Sequence, residues 1–358
     1  MIKHKDIAFL TELLRVYVDN EHKPSLSVSD EEWNDIFEIS KKQAIIGVVF
    51  EAIKRLPAEQ QPPKELKLKW FYLSERIRKR NAELNDGINV LLEVLESHQL
   101  KGCILKGQGV GLLYPIPESR QPGDIDVWCS GGREYVLDRL GCYKLEHIVV
   151  HHADIKLIKD IPIEVHYIPL WLYNPLTNHR LKRIIQEEEN RQFDNVTDRG
   201  YAVPTIRFNL VYSLLHIYRH FLEEGVGIRQ LMDYYFLLMN SSYDDRGYAL
   251  DCLRKLGKKG FASALMYVQR VLFDIPESHM ITGVDEKYGS LLLESVIEGG
   301  NFGQHSNYIY KSKWAVGKQI KKIRKRQYKY LLFAFDEIVC MPFWKTWHWV
   351  WRRRHGYL

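Results

Sequence analysis

Asp124 and Asp126 stand two apart in Gly123-Asp124-Ile125-Asp126-Val127-Trp128, a run that alternates in polarity as a strand does. Residues two apart in a strand share a face, so both carboxylates project together. Glu164 lies in Ile163-Glu164-Val165-His166, between apolar neighbours that point the other way. An acid in such a strand is costly unless paired or bound to a metal. Three carboxylates converging at a sheet end suit one or two Mg²⁺ ions, with Mn²⁺ as an alternative. Such ions prefer oxygen ligands and usually bind substrate phosphates too. A pair of them can activate an attacking hydroxyl and stabilise a leaving pyrophosphate. Replacing Asp124 or Asp126 by Asn is expected to leave the metal-free chain as stable or more so, since like charges in a cluster repel.

The neighbouring histidines and arginines are less specific. His166 shares a face with Glu164, and it either orients that acid, contacts substrate or bonds to backbone. His151 and His152 are adjacent in a strand-like run, so only one of them should approach the carboxylates. His216 and His220 are four apart on a helix, as zinc ligands can be, but no His-Glu-x-x-His pattern or third ligand accompanies them. Packing or hydrogen-bonded roles are expected for both. Arg229 and Asp233 should pair along their helix, and can also line a cleft where a nucleotide base would lie. Cys103 and Cys129 read as small core residues.

The elements that must position these groups follow from periodicity. Ser29 and Glu32 form a capping-box signature ahead of Trp33, Ile36 and Phe37. From Leu66 to Leu95, apolar residues recur at spacings of three and four, predicting one long amphipathic helix that packs on the chain's own core. Residues 101–168 read β-α-β-α-β-β, a small α/β unit. Its strands are Cys103 to Leu105, Asp124 to Trp128, His147 to Ile158 and Ile161 to Ile168. From about residue 205 the chain is helical again, and the helix around Leu210 to Phe221 is apolar nearly all round, as a buried helix is. The predicted class is α+β, in three parts. Residues 1–99 form an N-terminal helical region, 100–172 a small mixed-sheet core, and 173–358 a C-terminal helical domain with a basic, aromatic-rich tail.

The order of these elements and motifs resembles the DNA polymerase beta-like nucleotidyltransferase superfamily and, more narrowly, a bacterial family of uncharacterised nucleotidyltransferases. The resemblance spans roughly residues 40–305. It is carried by Leu105-Lys106-Gly107, Leu113-Tyr114-Pro115, Arg120, Gly123-Asp124-Ile125-Asp126, Ile163-Glu164-Val165-His166, His220, Gly227-Ile228-Arg229-Gln230, Asp233 and Gly300-Asn301-Phe302-Gly303. It implies transfer of a nucleoside monophosphate from a nucleoside triphosphate to an acceptor hydroxyl. Asp124 and Asp126 would hold both metals and Glu164 the catalytic one. Most of the superfamily has Gly-Ser, whose serine helps hold the triphosphate, where this chain has Lys106-Gly107. Here the Lys106 ammonium would serve as a point charge, aided by the backbone N–H groups of Gly107 and Gln108; the plainer reading is a surface lysine beside a turn. Arg120 would contact the triphosphate or bridge to Asp124 or Asp126.

Composition narrows the classes. The chain has 358 residues, 46% hydrophobic and 27% charged, which excludes a disordered or collagen-like chain. No apolar run approaches the roughly 18 residues of a membrane span. The N-terminus lacks a signal peptide's apolar stretch, and five cysteines with no Cys-x-x-Cys pair suit a reducing cytoplasm. Residues 311–329 hold nine Lys or Arg and no acid, so residues 311–358 carry +11 and residues 1–310 carry −5. That run is either a solvated helix face, with Val316, Ile320, Ile323 and Tyr330 turned inward, or a surface for nucleic acid or an anionic membrane, to which Trp344, Trp347, Trp349 and Trp351 would contribute. Two alternatives to an enzyme follow: an inactive nucleotide- or partner-binding module, and a nucleic-acid-binding protein acting through the basic helix.

Overall fold

The computed structural model describes residues 4–300 and 313–357, and of residues 4, 6 and 313–333 the backbone alone. Four helices come first: α1 (His4–Val18), α2 (Asp30–Lys42), α3 (Ile46–Ile53) and α4 (Lys64–Ser97). Ser29 caps α2 with the reciprocal capping box its spacing predicts: the Ser29 N–H donates to Glu32 at 2.7 Å. The α/β unit follows as β1 (Gly102–Leu105), α5 (Lys106–Gly111), β2 (Ile125–Cys129), α6 (Gly132–Arg139), β3 (Leu145–Glu146), β4 (His152–Ile155) and β5 (Ile163–His166). The predicted strand over 147–158 is shorter than its apolar pattern, and β3 precedes it as a separate strand. The helical remainder comprises α7 (Pro175–Phe193), α8 (Ile206–Glu223), α9 (Ile228–Met239), α10 (Tyr243–Lys255), α11 (Lys259–Phe273), α12 (Glu286–Gly299) and α13 (Lys313–Arg354).

The fold is α+β: a small mixed sheet flanked by helices. The strand order is β1-β2-β5-β4-β3, with β2 and β5 parallel and every other pair antiparallel. Period-two alternation splits the sheet into two unlike faces. Ile125, Val127, Ile163 and Val165 point to one face and pack on Leu84, Ile88, Leu91 and Leu95 of α4. The opposite face is apolar at one end, where the Trp128 ring meets Phe193 of α7 at 5.0 Å and Phe208 of α8 at 6.0 Å. It is polar where Asp126 stands opposite Glu164, and His166, the register partner of Trp128, adjoins them.

The N-terminal and C-terminal helices share one apolar core, in which Phe9, Leu13 and Trp33 join Leu231, Phe236 and Phe261. Gln43 stitches the two together: its amide donates to the Val296 carbonyl at 3.0 Å and its oxygen accepts from the Ile228 N–H at 2.9 Å. The seam of α4 packs inside this chain, as expected.

Helix α13 leaves helical geometry at Ala334 (φ −137°, ψ 22°), and its second half is clamped by ion pairs. Lys258, only 1% exposed, reaches Asp336 at 2.9 Å and Glu337 at 3.4 Å. Glu337 accepts the Tyr173 and Asn174 N–H groups at the start of α7. Lys258→Met strands the buried Glu337 carboxylate, so it should cost about 3–5 kcal/mol in denaturant unfolding. Amide exchange should then quicken over 335–354 before the rest of the chain. The basic run is helical from Lys313 onward, while the inward orientation expected for Val316, Ile320, Ile323 and Tyr330 lies outside the described side chains, as Asn301-Phe302-Gly303 lies outside the described residues.

Candidate functional site

The parallel pairing of β2 with β5 sets Asp126 directly opposite Glu164. Asp124 precedes β2 and turns back toward the same end. Asp124, Asp126 and Glu164 each present an oxygen within 4.8 Å of the other two. The trio opens into a cavity of about 800 Å³, also lined by Lys106, Gly107, Arg120, His166 and Arg229. A volume of that order accommodates a nucleotide-sized ligand.

Each charge in the trio has its own surroundings. Asp126 is 3% exposed, and its Oδ1 takes the Lys106 ammonium and the His166 Nε2, both at 2.8 Å. Burial alone would raise its carboxyl pKa, but Lys106 and then His166 hold it below the usual range. Asp124 has the opposite fate: the neighbouring Asp126 charge and then burial push its carboxyl up to about 6. Glu164 is the most open, 31% exposed, and against its burial the His166 hydrogen bond keeps it low. Lys106 reaches Asp126 because the chain turns sharply after β1: Lys106 has φ 44° and Gly107 φ 30°. Positive φ is unusual for lysine and marks a conformation held by its surroundings. Gly109 then lets α5 lie on β1, since a Cβ there would stand 2.7 Å from the Ile104 carbonyl oxygen.

Arg120 departs from one reading of it, the bridge to Asp124 or Asp126, while it lines the cavity. It bridges neither Asp124 nor Asp126, and its Nε and Nη2 donate to the two oxygens of Asp233 at 2.7 and 2.8 Å. The Tyr114 hydroxyl donates to the same carboxylate at 2.7 Å. Asp233 is therefore engaged across the cavity wall, and Arg229 instead donates to the Gln121 carbonyl at 3.1 Å. The expected Arg229–Asp233 pair along the helix is replaced by this longer-range one, because a planar two-point fit holds a partly buried carboxylate better. Arg120→Ala leaves the partly buried Asp233 without its bidentate partner and should destabilise the protein by about 3–5 kcal/mol in chemical denaturation.

Gln108 is expected to contribute its backbone N–H, not its side chain. Its side chain turns to α4, donating to Asn85 Oδ1 at 2.8 Å, and it does not line the cavity. His151 and His152 both line it, contrary to strict alternation. His151 precedes β4 and is free of the strand's pleat. His216 and His220 line the far wall with rings 4.3 Å apart, and burial pushes His216 well below its ordinary pKa. Cys103 and Cys129 are buried in β1 and β2 with thiols raised by burial.

Sequence reasoning missed the aromatic wall. Trp171 stacks on Trp344 of α13 at 3.9 Å with planes 11° apart. The Arg219 guanidinium lies 3.8 Å over the Trp171 ring. Trp344, Lys345 and His348 close one side of the cavity, so part of the aromatic-rich tail faces the site. Trp347 and Trp349 remain exposed. The available signal was His216, Arg219 and His220 clustered in a largely apolar helix.

No helix of the described residues is long and apolar enough to cross a membrane. Residues 29–274 match the family model described as uncharacterised nucleotidyltransferase. That span holds the whole sheet and the cavity wall as far as Asp233, but not α13. No curated protein matches the sequence. Among solved structures, that of an antigenic nucleotidyltransferase-like protein from Paracoccidioides brasiliensis is similar at 15% identity and a TM-score of 0.29, covering 52% of this chain and 93% of that one.

Proposed function

The chain belongs to the uncharacterised nucleotidyltransferase family, and on that premise we propose that it transfers a nucleoside monophosphate from a nucleoside triphosphate to an acceptor hydroxyl in a metal-dependent reaction. The observation that carries this reading is the convergence of Asp124, Asp126 and Glu164 within 4.8 Å at the mouth of the cavity. The residues fit a divalent ion: repulsion within the trio raises the Asp124 carboxyl, and a cation relieves that repulsion. Asp124, Asp126 and Glu164 would hold Mg²⁺ or Mn²⁺, which supplies charge neutralisation for the phosphates and acidifies an acceptor hydroxyl.

The chain's own groups divide the remaining work. Lys106 has only one anchor among the described ion pairs, Asp126, and its flexible stem would let the ammonium hold a phosphate bound in the cavity. Glu164 faces the open cavity and is held as a carboxylate by His166, the form in which it would hold a metal ion. His166 fixes both Asp126 and Glu164 and acts as a positioning residue. Arg229 lies beside Gly123 and is kept cationic although burial and Arg120 push it down to about 10. Arg120 acts indirectly, holding α9 against the 117–123 turn through Asp233.

Incubation with each α-labelled nucleoside triphosphate, Mg²⁺ and cell lysate tests the proposal. One triphosphate should deliver label to a product, and chelation should stop it. No labelled product with any triphosphate and either metal would refute it. A second reading, a module that binds nucleotide without transferring it, draws on the Lys106–Asp126 pair, which already neutralises the metal-facing carboxylate. It predicts a Mg²⁺-nucleotide thermal shift with no labelled product.

A further inference from the structure

Beside the three carboxylates lies a different ligand set. His152 on β4 and His166 on β5 are register partners in the antiparallel pair, and Glu164 stands on the same face of β5. One ligand atom from each of the three lies within 4.8 Å of the other two. His166 Nε2 is 3.4 Å from Glu164 Oε2, and His152 Nδ1 is 3.9 Å from the same oxygen. With metal–ligand bonds of about 2.1 Å, the edge of a tetrahedral site is roughly 3.4 Å, so these spacings need little closure. The His152 Nδ1 atom is buried and has no hydrogen-bond partner among the described residues. Its Nε2 lies 3.8 Å from Asp154, an outer carboxylate of the kind that orients metal-bound imidazoles.

We propose that His152, His166 and Glu164 form a binding site for a nitrogen-preferring divalent ion of the Zn²⁺ class, adjoining the oxygen-only set of Asp124, Asp126 and Glu164. Imidazole favours Zn²⁺ and its transition-metal neighbours, whereas carboxylates alone suit Mg²⁺. Glu164 belongs to both sets, so it would bridge two unlike ions. The His166 nitrogen now bonded to Asp126 at 2.8 Å is the one that would turn to the metal. The inference does not rest on nucleotidyl transfer: it concerns binding alone, and it stands if no transfer activity is found.

Co²⁺ serves as the probe because a four-coordinate nitrogen site gives intense visible d–d bands. The full chain is dialysed against Co²⁺ with Mg²⁺ in excess, and bound metal is measured by elemental analysis alongside the spectrum. The wild type should bind cobalt with four-coordinate bands, and Zn²⁺ should displace it. His152→Ala should lose the bands and at least about tenfold in affinity, while Asp124→Asn keeps them. The proposal is overturned if the wild type binds no cobalt under excess Mg²⁺. It is equally overturned if His152→Ala keeps the bands, or if Asp124→Asn loses them while His152→Ala does not. Circular dichroism checks that the variants fold. Should His152→Ala not fold, X-ray absorption of the cobalt-loaded wild type decides: imidazole back-scattering supports the site and an oxygen-only shell overturns it.

Discussion

Asp126→Asn is expected to abolish the proposed nucleotidyl transfer and to weaken the fold together. Asp126 Oδ1 receives Lys106 and His166 at 2.8 Å each, in a position 3% exposed. The amide leaves the partly buried Lys106 and the buried His166 without their shared anion, and breaking such a pair at a buried carboxylate costs about 3–5 kcal/mol. Transfer should fall by more than the roughly 100-fold that loss of an outer-shell partner costs, since Asp126 would be a direct ligand. The stability effect carries a pH signature. The folded carboxyl lies below its ordinary value of 3.8, so its contribution is fully present above that value and is lost as pH falls toward the folded pKa. Melting curves of wild type and variant should therefore differ most at neutral pH and converge below about pH 4. A variant as stable as the wild type at pH 7.5 would show that Lys106 and His166 do not depend on Asp126.

This result would divide what the sequence expectation treated as one. Read from spacing alone, both aspartates belong to a repelling cluster whose relief stabilises the chain. The structure separates them, because Lys106 turns back through a positive φ to reach Asp126 and no spacing rule announces that turn. The carboxylates themselves were legible. Period-two alternation puts Asp126 on one face, and the flanking Ile163 and Val165 force Glu164 onto the same side as His166. The parallel register that sets Asp126 against Glu164 was not legible, since strand order is a tertiary property. The Arg120–Asp233 pair was hidden for a similar reason: a four-residue spacing to Arg229 is visible in sequence, whereas a partner 113 residues away is not. Helix α7 has few buried apolar positions amid many charges, so its inner face is faint in the pattern. Trp344 was plain as an aromatic residue near a basic run, but its inward direction depends on Trp171, the kink at Ala334 and the Lys258 clamp.

Asp124→Asn should give the opposite stability result with the same loss of activity. The Asp126 charge, followed by burial, pushes the Asp124 carboxyl up to about 6 from an ordinary 3.8. For an acid raised in this way, the folded chain keeps a proton that the unfolded chain gives up between those two values. Stability therefore declines as pH rises through that window, and the full penalty is present above about pH 6. Asparagine removes the penalty. The metal-free variant should be more stable than wild type at pH 7.5 by on the order of 2 kcal/mol, with the gain vanishing near pH 4. Mg²⁺-nucleotide should raise the melting temperature of the wild type and leave the variant unmoved, because a ligand stabilises only the state that binds it. Transfer should again fall by more than roughly 100-fold. A residue whose loss stabilises the fold while removing activity is held in place by function rather than packing. An Asp124→Asn protein that melts lower at pH 7.5, or that still responds to Mg²⁺-nucleotide, would remove Asp124 from the metal site and leave Asp126 and Glu164 to hold an ion without it.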